Sequence, residues 1–170
     1  MEYAIDLIKR HRKIQFGWSR TGHFLMHKGI VVLLDGDPAF TIDYGKSGID
    51  TTLWGRQNSH VEGVLFTSTN QDVAVQLVEE LNEISMGDYK LFRNNCRHYV
   101  VKAVEISLKK AENDASLMVD PDALRIFYDD IETVQSIDYV RIASFGPLFV
   151  SVIAAIAAGF IFKLLQSHSF

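Results

Sequence analysis

One stretch divides this chain in two. From Ile142 to Phe162 the sequence reads IASFGPLFVSVIAAIAAGFIF, with no charged side chain between Arg141 and Lys163. A helix of that length spans roughly 30 Å, the thickness of a bilayer's hydrocarbon core. A helix buried in a protein core normally keeps a polar face, but here only Ser144 and Ser151 carry polar side chains. Ala154, Ala155, Ala157, Ala158 and Gly159 are the small residues on which membrane helices pack. Pro147 marks either a kink or the first turn. Eight residues follow Phe162. The expectation is a tail anchor: residues 141–170 hold the chain in a membrane, and residues 1–140 form one domain left in the cytosol.

The part before Arg141 has the means to fold alone. The whole chain is 48% hydrophobic and 22% charged, enough apolar material for a core. Its net charge of −4 gives no reason to expect nucleic acid as a partner. A single cysteine excludes an internal disulfide and a cysteine-based zinc cluster, and fits a reducing compartment. The N-terminal MEYAIDLIKRHRKIQF carries charges where a secretory leader needs an apolar stretch.

Periodicity then places the elements. KGIVVLLDGDPAFTIDYG reads as a β-hairpin: a β-branched run, turn chemistry at Asp35-Gly36-Asp37-Pro38, then apolar and polar residues alternating from Phe40 to Tyr44. VEGVLFTS reads as a further strand. Thr69-x-x-Asp72 resembles a capping box, and Val73, Leu77, Leu81 and Ile84 follow at helical spacing, so a helix is expected over 71–84. A second helix is expected to begin near Asn95 or Cys96, with Val100, Val104 and Leu108 as its apolar stripe. Within 110–140, PDALRIFYDDIETVQSIDYV reads as a short helix and a charged link. The class is α+β, a modest antiparallel sheet packed by helices.

The lone cysteine sits in YKLFRNNCRHYVVKAV. In the first turn of a helix, Cys96 feels the positive end of the macrodipole and nearby N–H groups, which favour thiolate over thiol. Arg93 and Arg97 add positive charge, and the same N–H groups are expected to receive an oxyanion. The plainer reading is a small buried apolar residue. A nucleophile needs a base, and His23, His27 and His60 all stay open as candidates. His98, two residues from Cys96 on a helix, turns away from the thiol. No metal site is expected, because His23 and His27 lack both the Glu of a His-Glu-x-x-His site and a third ligand. The run KRHRK, residues 9–13, reads as a solvated face or as a contact with anionic headgroups close to the active site. Trp18 and Trp54 read as core residues or as membrane-surface residues.

Two segments together resemble a family. HKGIVV from His27, followed by a hairpin, is similar to the histidine-bearing strand of the circularly permuted papain-like thiol hydrolases. NCRHYV, Asn95 to Val100, resembles the Asn-Cys-Glu-His-Phe-Val signature of the lecithin:retinol acyltransferase-like branch, which includes phospholipase/acyltransferases, many with a C-terminal membrane anchor. The resemblance covers roughly residues 23–108. It implies a permuted papain-like fold, Cys96 as nucleophile, His27 as general base, His98 in a structural role, and no cofactor. It also implies acyl-cysteine chemistry on membrane lipids. The branch carries a second histidine on the next strand, where this chain reads AFTIDYG. Asp43 is the residue there best suited to orient an imidazole, with Thr41 behind it and His60 as a further option. Arg97 stands where the branch has an acidic residue.

The PPPDE isopeptidases share the permuted fold, and HKGIVV, YGKSGI and YKLFRNNC resemble their pattern as well. That likeness implies ubiquitin or SUMO conjugates as substrates. A third reading is a membrane-anchored interaction protein whose inherited site no longer turns over.

Overall fold

The computed structural model describes residues 1–21, 27–55, 59–90 and 95–131. His23, Arg93 and the apolar run 142–162 lie outside the described residues. Among those described, no helix is long and apolar enough to cross a membrane. The chain divides into two compact units, Met1–Phe127 and Tyr128–Phe170. Of the second, residues 128–131 are described, and they are helical.

The first unit is α+β. Its elements are α1 (Glu2–Ile8), β1 (Ile14–Thr21), β2 (His27–Leu34), β3 (Asp37–Gly45), β4 (Gly48–Leu53), β5 (Ser59–Ser68), α2 (Gln71–Asn82), α3 (Cys96–Asn113) and β6 (Leu117–Val119). The strands form one antiparallel sheet in the order β4-β3-β2-β1-β5-β6. The expected hairpin is β2 and β3. Asp35 and Gly36 make its turn at φ 52° and 103°, the two positive values that a tight two-residue connection needs. Near the turn the pairing slips: Leu33 opposes Pro38 but Val32 opposes Phe40, which leaves Ala39 as the extra residue of a β-bulge.

β1 was not assigned from sequence, yet it lies between β2 and β5, and Ile14, Phe16 and Trp18 are almost wholly buried. Trp18 is therefore a core residue. Its ring packs edge-on against Phe127, with centroids 5.6 Å apart. Phe127 belongs to a helical stretch beginning at residue 121, where Asp120 Oδ1 accepts the N–H of Ala123 at 2.9 Å and Pro121 takes the first helical position. β1 also passes very close to β5. A methyl group on Gly17 would lie 2.0 Å from the Gly63 carbonyl oxygen, and one on Gly63 would lie 2.4 Å from the Trp18 ring.

The helices cover the sheet through the residues their spacing selected. α2 buries Val73, Leu77 and Leu81, each leucine contributing about 2 kcal/mol by leaving water. Its cap differs from expectation. Asn70, not Thr69, is the N-cap, and its side-chain oxygen accepts the N–H groups of Asp72 and Val73. The helix ends at Asn82 rather than 84, although Ile84 is still buried. α3 starts at Cys96 and buries Tyr99, Val100, Ala103 and Val104 against β2 and β3. Leu108 is only half-buried.

Candidate active site

The site forms where the start of α3 meets the start of β2. Asn95 is extended, at φ −125° and ψ −176°, and its side-chain oxygen accepts the N–H groups of Arg97 at 3.0 Å and His98 at 3.3 Å. His98 Nδ1 also lies 2.9 Å from that oxygen; a carbonyl oxygen only accepts, so Nδ1 carries the ring proton. His98 thus supports the cap and does not face the thiol. The Tyr99 N–H goes to the Asn95 carbonyl. The expectation that several first-turn N–H groups receive an oxyanion is corrected here: Asn95 occupies those of residues 97, 98 and 99. Cys96 N–H is the donor of that turn with no acceptor among the described residues.

The β2–β3 ladder runs from Leu34 opposite Asp37 to Gly29 opposite Asp43 and stops short of Lys28 and His27. α3 fills the end. The Lys28 N–H donates to Cys96 Sγ at 3.5 Å, and His27 and Cys96 share a side-chain hydrogen bond. On the other side of the ring, His27 Nε2 lies 3.2 Å from Asp43 Oδ1. Nδ1 is then the nitrogen left for the sulfur. Thr41 Oγ1 reaches Asp43 Oδ2 at 3.5 Å and the Thr52 carbonyl at 3.4 Å. A residue each from a helix start, a central strand and its neighbour thereby stand in the order thiol, imidazole, carboxylate.

Each group changes the proton affinity of the next. The hydrogen bond that His27 donates to Asp43 is the largest cause that raises it, followed by the one with Cys96; together they outweigh burial and push it up to about 10. Burial pushes the Cys96 thiol up, but the hydrogen bond and charge of His27, the Lys28 N–H and the Arg97 guanidinium outweigh it, and the thiol ends below its usual range. The contact favours thiolate over thiol and imidazolium over imidazole. The contribution of the raised His27 is complete below its unfolded value of 6.5 and is lost as pH rises through about 10, whereas that of the lowered Cys96 thiol is lost as pH falls. Iodoacetamide alkylation of Cys96 should accordingly rise with a midpoint below the ordinary cysteine value of about 8.5. A second step is expected as His27 deprotonates near 10. A single rise at the ordinary value would show that the two groups do not interact.

Two further residues belong to the neighbourhood. Arg97 is buried, and its charge favours the thiolate. Tyr89, which the sequence reading passed over, packs its ring 5.4 Å from that of Tyr44. Burial raises its hydroxyl, and so does the nearby Cys96 charge. Its only sequence signal was its place at the head of YKLFRNNC.

Beside the His27–Asp43 pair lies a small concavity of about 10 Å³, on the order of one water, lined by Thr21, Thr41, Ser59, Leu53, Trp54 and Gly55 as well as the pair itself. His60 is not part of the site: it is exposed on β5, opposite Arg20, with β1 between its strand and that of His27. The basic run is not near the site either. The Lys13 carbonyl accepts the Asp35 N–H and the Lys13 N–H donates to Asp35 Oδ1, beyond the far end of β2, so residues 9–13 lie a strand length, roughly 23 Å, from His27. Among the described residues no three His, Cys, Asp or Glu side chains are grouped to hold a metal ion. No protein-family model matches the chain, and no curated protein or solved structure does.

Proposed function

We propose that this chain is a membrane-tethered thiol enzyme of permuted papain-like fold that hydrolyses or transfers acyl groups of lipids through an acyl-cysteine. The observation that carries the reading is Cys96 at a helix start, hydrogen-bonded to His27, with Asp43 on the opposite ring nitrogen. The thiolate attacks the carbonyl carbon of an ester; the S–C bond forms and the carbonyl electron pair moves to oxygen beside the Cys96 N–H. When the carbonyl re-forms, the C–O bond to the leaving alcohol breaks, and that oxygen takes the His27 proton. In the second half a water, alcohol or amine gives a proton to neutral His27 and attacks the thioester. The C–S bond breaks, and the thiolate and imidazolium are restored.

Lipid as substrate rests on the NCRHYV likeness and on the apolar run 142–162, taken as a bilayer span. Deleting residues 141–170 should abolish carbonate-resistant membrane association; unchanged association would refute the anchor. A second reading, cysteine isopeptidase on ubiquitin or SUMO conjugates, is favoured by the single histidine that the described residues bring to the site, whose partner is a carboxylate. The third, an inactive interaction protein, was motivated by the missing second histidine and by Arg97. Asp43 supplies the first function and Arg97 favours the thiolate, both of which support turnover.

The deciding test is the intact mass of the full chain in mixed phospholipid vesicles, with Cys96→Ala beside it and parallel samples of ubiquitin and SUMO electrophilic probes. An acyl adduct absent from Cys96→Ala is the expected result. A ubiquitin-like adduct without acylation would favour the isopeptidase, and no adduct would favour the interaction protein.

A further inference from the structure

We infer that Gly29 is a positioning residue of this site: lacking a side chain, it leaves the space through which Asp43 reaches His27. The inference rests on reading Cys96, His27 and Asp43 as one site. Three residues lie in a row across the sheet: Ser19 on β1 opposes Gly29 on β2, which opposes Asp43 on β3. His27 stands two residues before Gly29, on the same face, so its relation to Asp43 is diagonal. Diagonal neighbours are about 7–8 Å apart at Cα, whereas the Asp43 carboxylate reaches His27 Nε2 at 3.2 Å. The short aspartate side chain has to lean along the sheet to do this.

A methyl group at position 29 would contest that space. It would sit 3.1 Å from Asp43 Cβ and 3.3 Å from the Ile42 carbonyl oxygen, where directly opposed Cβ atoms ordinarily stand about 4.5–5.5 Å apart. On the β1 side Ser19 Oγ would be 3.6 Å away, an ordinary contact. The crowding therefore falls on β3, on the Asp43 side chain and the Ile42 carbonyl oxygen, and not on β1; the other Asp43 oxygen lies 3.5 Å from Thr41 Oγ1. Backbone conformation does not call for glycine here, because Gly29 is absent from the positive-φ residues. The requirement is space.

The test follows the His27 imidazole by NMR titration and Cys96 by its iodoacetamide alkylation rate at pH 7, in the full chain. The variants are Gly29→Ala, Asp43→Asn and the double. Gly29→Ala is expected to lower the His27 midpoint by about one pH unit and to slow alkylation about fivefold as the carboxylate is displaced. In the Asp43→Asn background the same substitution should change neither readout. Equal shifts in both backgrounds, or none in Gly29→Ala, would overturn the inference. If Gly29→Ala does not fold, Gly29→Ala/Asp43→Gly decides: a recovered fold locates the crowding at Asp43, and continued failure overturns it. A wild-type His27 midpoint at the ordinary 6.5 would instead sink the reading of the site itself.

Discussion

His27→Ala is expected to lower acyl transfer about 10³-fold, the range lost with a general acid–base group. The substitution removes two things at once. One is the proton carrier that, in the proposed reaction, protonates the leaving oxygen and later deprotonates the acceptor. The other is the partner that lowers the Cys96 thiol, since His27 is the largest cause opposing the burial that pushes the thiol up. The variant should therefore also lose its alkylation rate near neutral pH, and added thiolate at high pH should restore part of the alkylation but little of the transfer. His23→Ala should reduce turnover only mildly. If the ranking of the two variants is reversed, the base is His23.

Gly17→Ala is expected to cost about 3 kcal/mol of stability or more, toward the upper end for overpacking a closed interior. The added carbon would lie 2.0 Å from the Gly63 carbonyl oxygen, a backbone atom that moves only with its strand. β1 and β5 change register on both sides of this point, between Phe16 and Gly17 and between Trp18 and Ser19. The flanking Phe16 and Trp18 are almost wholly buried, so the strand has little freedom to retreat. Urea unfolding should show the loss, with Gly45→Ala as the control because a methyl there meets nothing within 4 Å. Equal midpoints for the two variants would show that β1 and β5 stand farther apart than described.

The parts legible from sequence were those governed by neighbours along the chain. The spacing of Val73, Leu77 and Leu81 marked α2, the Asp35–Gly36 turn marked the hairpin, and Asn95 before Cys96 marked the start of α3. β1 was missed although Ile14, Phe16 and Trp18 alternate with Gln15, Gly17 and Ser19 as strand residues do; the alternation covers only three apolar positions, and the place of the strand between β2 and β5 comes from its two partners. β4, with no fully buried residue, carries too weak an alternation to be read. The cap of α2 was misplaced by one residue because Thr69 and Asn70 are both competent caps, and only the backbone path chooses between them.

Chemistry local to the chain placed a helix start near Asn95 or Cys96 and histidines before the first strong strand, because capping and β-branched runs act between neighbours. It did not determine which residue would stand behind the imidazole. Counted back from the hairpin turn without interruption, Asp43 would oppose Lys28 and point to the other face of the sheet. The bulge at Ala39 shifts the pairing by one residue, sets Asp43 opposite Gly29, and so turns its carboxylate to the face of His27. Side chains alternate across a strand, so a single unpaired residue decides the face of everything beyond it. That decision belongs to the packed sheet, where the ladder and the buried faces of β2 and β3 select one register.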